Sequence, residues 1–185
     1  VIRNAGKATT SGFEMEVSYA PTRALRLQAS YGYLSAKYDE FIDGGVNVAN
    51  NRAFVHAPKN SLSLSVDWLM AQTAWGPLRL QSDYAFTDAF YTYPFQLQSS
   101  GANYNPNAAV AGNTRVQSNG MLNGRLILND IKTSAGKMQF SLWGRNLTNT
   151  NHIENFIDFG PGFGNLTQAY FNQPRMVGVS AALKW

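Results

Sequence analysis

Arg175-Met176-Val177-Gly178-Val179-Ser180-Ala181-Ala182-Leu183-Lys184-Trp185 is the stretch that decides the fold. Val177, Val179, Ala181, Leu183 and Trp185 fall on one parity, and Gly178, Ser180, Ala182 and Lys184 on the other. Successive strand residues point to opposite faces, so this segment needs two different solvents. An oily face against lipid makes it the closing strand of a transmembrane barrel, pinned in a sheet to its last residue. The same alternation must then recur upstream.

It recurs six times. Phe13, Met15, Val17 and Tyr19 oppose Gly12, Glu14, Glu16 and Ser18. Leu25, Leu27, Ala29, Tyr31 and Tyr33 oppose Arg26, Gln28, Ser30 and Gly32. Leu62, Leu64, Val66 and Trp68 oppose Ser61, Ser63, Ser65 and Asp67. Leu78, Leu80, Ser82, Tyr84 and Phe86 oppose Arg79, Gln81, Asp83 and Ala85. Leu122, Gly124, Leu126 and Leu128 oppose Asn123, Arg125, Ile127 and Asn129. Met138, Phe140, Leu142 and Gly144 oppose Gln139, Ser141, Trp143 and Arg145. No oily-parity position is charged. Ile127 and Trp143 interrupt the polar parity and are expected to pack against something inside a lumen.

Bulk composition agrees. Charged residues make up 14% of the 185, and mean hydropathy is -0.26. No run approaches the roughly 20 apolar residues of a spanning helix. A barrel escapes that test, because half of each strand faces water. The formal charge of +4 raises the question of nucleic acid, but the bases are scattered singly and no nucleic-acid motif is present. There is no cysteine, hence no disulfide framework or thiolate metal site. The chain begins at Val1 without Met or a signal peptide, as expected of a processed or excised segment.

Connections alternate in length. Ala20–Ala24, Leu69–Pro77 and Asp130–Gly136 are short; Asp39–His56, Thr87–Ser118 and Thr150–Tyr170 are long. One plain end and one elaborated end define an up-and-down meander. Tyr19, Trp68 and Trp185 sit toward the plain end, and Tyr31, Tyr33, Tyr84 and Phe86 toward the other, where interfacial rings belong. A soluble β-sandwich also alternates, but its strands are commonly about five or six residues, against about 9–11 for a tilted spanning strand. The expected class is therefore all-β: an antiparallel up-and-down transmembrane β-barrel segment of about seven strands, part of a larger barrel. Single-chain bacterial barrels have even strand counts, and Val1–Lys7 is too short for the missing strand and its loop.

Several motifs resemble TonB-dependent receptors, siderophore-type receptors of the outer membrane. These are Arg3-Asn4-Ala5-Gly6-Lys7-Ala8 followed by Gly12-Phe13-Glu14-Met15-Glu16; Tyr31-Gly32-Tyr33 followed by Ala36-Lys37-Tyr38; Ala57-Pro58-Lys59-Asn60; Leu142-Trp143-Gly144-Arg145-Asn146-Leu147-Thr148-Asn149; and Gln173-Pro174-Arg175 before the final alternating run. The resemblance implies that residues 1–185 are the C-terminal portion of a receptor barrel, without plug domain or TonB box. It implies an active importer of a scarce small-molecule ligand, such as a ferric siderophore, in the outer membrane of a Gram-negative bacterium. The implied partners are membrane lipid, the TonB complex through a plug outside this chain, and the barrel-assembly machinery, with Trp185 as part of the assembly signal. No nucleic acid, cofactor or metal is implied, and no enzymatic activity.

Candidate sites follow from face and loop. Glu14, Glu16, Arg26, Asp67, Arg79, Asp83, Arg125, Arg145 and Lys184 take the lumen parity, where they either hold a plug or simply wet a lumen. Glu14 and Glu16 share a face about 7 Å apart, but no nucleophile pattern accompanies them. Tyr91, Tyr93, Phe95, Tyr104, Phe156, Phe159 and Phe163 are loop aromatics suited to a flat or apolar ligand, with Arg115 adding attraction for an anionic chelate; packing between loops is the plainer reading. Tyr170 and Phe171 belong to the same set. His56 and His152 would need Asp39, Glu40, Asp43 or Glu154 to bind metal, in a spacing that is no recognised calcium loop. Gly160-Pro161-Gly162-Phe163-Gly164 lacks the context of a phosphate loop. The alternatives are a self-contained small outer-membrane barrel, structural or adhesive, or a rim hydrolase using Asp83, Asp88 and His152.

Overall fold

The computed structural model describes residues 6–98, 101, 103–164 and 166–185. Arg3, Asn4 and Ala5 of the first motif, and Asn165 in the last long loop, lie outside the described residues. Seven strands form one antiparallel sheet in strict chain order: β1 Lys7–Thr22, β2 Leu25–Glu40, β3 Asn60–Thr73, β4 Gly76–Thr87, β5 Asn119–Thr133, β6 Gly136–Arg145 and β7 Met176–Lys184. Each pairs with its sequence neighbours, while β1 and β7 have one partner each. Strands of 16 residues, as in β1 and β2, exceed what a sandwich uses.

The strands overrun the turns expected for them. Reversals at the plain end use only Arg23–Ala24, Ala74–Trp75 and Ser134–Ala135. Two of the three share one chemistry: Thr73 and Thr133 each donate a hydroxyl hydrogen bond to the carbonyl three residues on, at Gly76 (2.7 Å) and Gly136 (2.8 Å). Both glycines have positive φ, and a β-carbon at either would collide with a carbonyl of the neighbouring strand, Asn129 or Lys184. Pro21 falls at a register shift between Tyr19 and Thr22 of β1, where the ladder is already interrupted and its missing N–H costs least.

The oily parity is uncovered. Met15 on β1, Leu142 (57% exposed) on β6 and Val179 (80% exposed) on β7 all project from one face with no second layer over them. A sandwich would bury this face; lipid is the solvent that suits it. Ser82, on that face of β4, donates to the Asn123 carbonyl at 2.8 Å, so this small hydroxyl turns onto the backbone rather than outward. Side chains fill the outward glycines: Tyr84 lies over Gly120, and Leu147 covers Gly124 and Gly144, which face each other across β5 and β6.

The buried apolar residues lie mostly outside the sheet. Among the described residues they are Phe41, Val48, Ala53, Ala111 and Val116 in the long loops, and only Ile127 in the wall. Trp143, expected to reach a lumen partner, instead lies against Gly178 of the adjacent strand and donates its indole N–H to Ser180 Oγ at 3.0 Å. The parity break is thus an in-sheet packing pair.

Leu142→Arg in the full-length protein should lower folding stability in lipid vesicles by about 2–4 kcal/mol, whereas Gln81→Arg on the opposite face should cost markedly less. Urea titration of the vesicle-inserted protein measures both. Equal losses would mean that the two faces do not meet different solvents.

Candidate functional site

The inward face is built row by row across the ladder. Arg26, Asp67, Gln81, Arg125, Trp143 and Gly178 stand directly opposite one another along six successive strands. Cross-strand neighbours on one face lie close enough to interact. Asp67 pairs with Arg79 and accepts from Gln81 Nε2 at 3.3 Å; Arg125 donates to Ser141 Oγ at 2.8 Å. One row toward the loops, Asn123 donates to Asp83 at 2.8 Å and Ser65 to Gln28 at 3.3 Å. The result is a polar trough of about 600 Å³ whose lining includes Arg26, Asp67, Asp83, Arg125 and Arg145. Among the described residues, Arg26 and Arg145 carry no ion pair, so the trough offers two uncommitted guanidinium groups. Glu14 and Glu16 line a second hollow nearer the loops, beside Ser30, Ser61 and Ser63. Arg79 lines a third, at the plain end.

Above the wall, buried amides hold the long loops together. Asn51 (1% exposed) accepts from Leu97 N at 3.0 Å and Gln98 N at 2.8 Å, and donates to Asn103 O at 3.2 Å. Gln96 closes its own loop through Asn105 and Ala108. Arg52 pairs with Asp43 at 3.0 Å and stands over Phe41, whose ring meets Tyr38. Asn146 has φ 50° and is 1% exposed. Its amide donates to Thr150 O (2.8 Å) and Gln173 O (3.0 Å), and accepts from Thr150 N (3.0 Å). Asn172 repeats the device, accepting from His152 N and donating to Thr150 O. A left-handed asparagine saturated in this way reverses the chain after β6 and sends Leu147 back over Gly144.

The loop aromatics are joined in pairs rather than gathered in one pocket. Tyr91 and Arg115 are register partners in a ribbon formed by Phe90–Tyr91 and Arg115–Val116. Tyr93 stacks on Phe95 at 5.1 Å, and its hydroxyl accepts from Asp158 N at 3.4 Å, joining two loops. Phe159 and Phe163 meet edge to face at 6.2 Å, and Phe163 is 72% exposed. Phe156 lies in the ribbon Ile153–Asp158 with Thr167–Phe171, and Tyr104 sits half-buried in the second long loop. Arg115 is exposed and donates to Gln117. Asp83 stands in the lumen trough, while Asp88 and His152 line a separate small hollow; the three residues of the hydrolase alternative share no cavity. Among the described residues, no three of His, Asp or Glu stand close enough to hold a metal ion.

An apolar outer face, an arginine-lined inner trough and loops folded over one end make this the wall of a transmembrane barrel with a polar lumen. The family described as "TonB dependent receptor-like, beta-barrel" matches residues 1–147, and the chain belongs to that family. Its members are outer-membrane receptors and transporters, not enzymes. No curated protein matches the chain. Among solved structures, the ferric yersiniabactin uptake receptor FyuA from Yersinia pestis superposes with TM-score 0.66 at 18% identity, over 96% of this chain and 24% of that one. The chain thus spans about a quarter of that receptor's length.

Asn146→Ala should destabilise the third long loop by roughly 2–3 kcal/mol, because Thr150 and Gln173 lose buried partners. Asn146→Gly keeps the left-handed backbone and should cost less. Hydrogen exchange at Leu147–Thr150 and Asn172 measures the difference. Unchanged exchange in both variants would remove Asn146 from its role as the lock.

Proposed function

We propose that the chain is the C-terminal wall of an outer-membrane receptor that imports a scarce small-molecule ligand, a ferric siderophore being the first candidate, with energy supplied through TonB. The observation that carries this reading is the pairing of an uncovered apolar face with a charged lumen face on the same strands. Membership of the receptor family and the fold shared with a ferric yersiniabactin uptake receptor support it. Two free sheet edges in hydrocarbon would each leave a row of unpaired backbone groups at several kcal/mol apiece, which favours further wall strands from elsewhere in the parent protein. Closure of these seven strands on themselves is disfavoured for a second reason: β1 and β7 run in the same direction and would have to pair in parallel.

In this reading the short turns face the periplasm and the long loops face outward. Tyr91, Tyr93, Phe95, Tyr104, Phe156, Phe159 and Phe163 form apolar contacts with the ligand, and Arg115 attracts its negative charge. The lumen residues Glu14, Glu16, Arg26, Asp67, Arg79, Asp83, Arg125 and Arg145 face a plug supplied by the same parent protein. Trp185, 98% exposed, is presented to the assembly machinery.

Deletion of Tyr91–Phe95 in the parent receptor should abolish uptake of a ferric siderophore that the wild type imports, in a strain lacking other receptors. Surface labelling checks that the variant reaches the membrane. Normal uptake by a correctly inserted variant would remove these aromatics from the ligand path.

A further inference from the structure

Three lysines that are dispersed in sequence become neighbours in the sheet. Lys137 stands directly opposite Lys132 on β5 and directly opposite Lys184 on β7. Cross-strand partners share a face, and Lys137 shares its face with Gln139 and Ser141, so the row points inward at the short-turn end. Like charges placed opposite each other destabilise a sheet. Among the described residues, one acidic side chain pairs with the row: Asp130, 3.3 Å from Lys137, with both side chains more than half exposed. An exposed pair of this kind contributes little and leaves two ammonium groups uncompensated. Arg79, in the same hollow, is already committed to Asp67. Edge protection accounts for a lysine on β7 but not for one two strands further in.

We infer that this lysine row is a docking surface for an acidic polypeptide segment entering the lumen mouth from the short-turn side. Three charges in line across three strands span about 9–10 Å, because strands lie roughly 4.8 Å apart. A single small anion cannot bridge that distance, whereas an extended chain places same-side carboxylates about 7 Å apart. The hollow that Lys137 and Lys184 line, about 370 Å³ with Asn129 and Gln139 in its wall, has room for such side chains and amides to hydrogen-bond them. The opposite face at this end is apolar and carries Leu183. The inference goes beyond the receptor reading by giving the chemistry of a partner at the plain end, and its test does not use uptake.

A photoreactive benzoylphenylalanine at Gln139 of the full-length receptor, irradiated in cells, should cross-link to a polypeptide site carrying at least two Asp or Glu residues. Lys132→Glu, Lys137→Glu and Lys184→Glu together should lower the yield roughly tenfold by like-charge repulsion, while the triple change to Arg preserves it. If the triple Glu variant fails to fold, Lys132→Glu alone should still reduce the yield. Cross-links to phospholipid only, to a site without acidic residues, none at all, or a yield indifferent to charge reversal would overturn the inference.

Discussion

Hydrocarbon accepts no unpaired backbone N–H or C=O, and the whole arrangement depends on that. In water a strand can leave a row of amides to solvent; in lipid each costs several kcal/mol. Each strand is therefore paired with the next from β1 to β7, with register shifts confined to strand ends, and the reversals at the plain end are only two residues long. The same constraint governs side chains. Ser82 turns its hydroxyl onto a backbone carbonyl, and Gly76 and Gly136 are needed where the next strand's carbonyl comes too close for any β-carbon. These are local answers to one demand: that polar atoms find partners inside the protein.

A consequence is that the usual arrangement of the core is inverted. The sheet buries little of its own, because neither of its faces carries a second layer from this chain. Burial is concentrated in the loops, around Phe41, Ala53, Ala111 and Val116, and it is stitched by amides such as Asn51 and Gln96. The wall is thus held by its ladder and by short contacts across strands, such as Trp143 on Gly178 and Leu147 on Gly144. The loops are held the way a small soluble domain is.

This division explains what the sequence disclosed. Period-two alternation reports which solvent each face meets, so the seven strands, their inward and outward sets and the alternation of short and long connections were all legible from positions such as Glu14, Leu142 and Val179. Strand ends were not, because Thr73 and Thr133 continue the ladder through residues without alternation. The loop architecture was least legible. Asn51 meets Leu97 and Gln98, more than forty residues away; no periodicity announces a contact of that kind. The abundance of asparagine in the first long loop, at Asn47, Asn50 and Asn51, was the available signal, since amides can pair with both halves of a peptide. The lysine row was invisible for the same reason: Lys132 and Lys137 face each other across a turn, but Lys184 joins them only through the register of β6 with β7.

Loops and wall are also joined mechanically. Asn60, the first residue of β3, accepts from the Tyr31 hydroxyl on β2 at 2.6 Å and donates to Asp88, just past β4. Asp88 returns a backbone bond to Asn60 at 2.9 Å. Where the second long loop leaves β4, it is therefore tied to β3 and, through Asn60, to β2. Further out, Ala53 N binds Phe95 O and His56 N binds Tyr91 O, so the first and second loops share a backbone seam. Tyr93 then reaches Asp158 of the third. Force applied at the aromatic tips would pass through hydrogen bonds between ordered groups, not through slack chain, before reaching the strand ends. Each strand is fixed to its neighbours by a long backbone ladder that no single side chain can release. Movement of the loops against the wall must therefore be sought where the ties are side chains, at Asn60, Asn146 and Asn172, and not within the strands themselves.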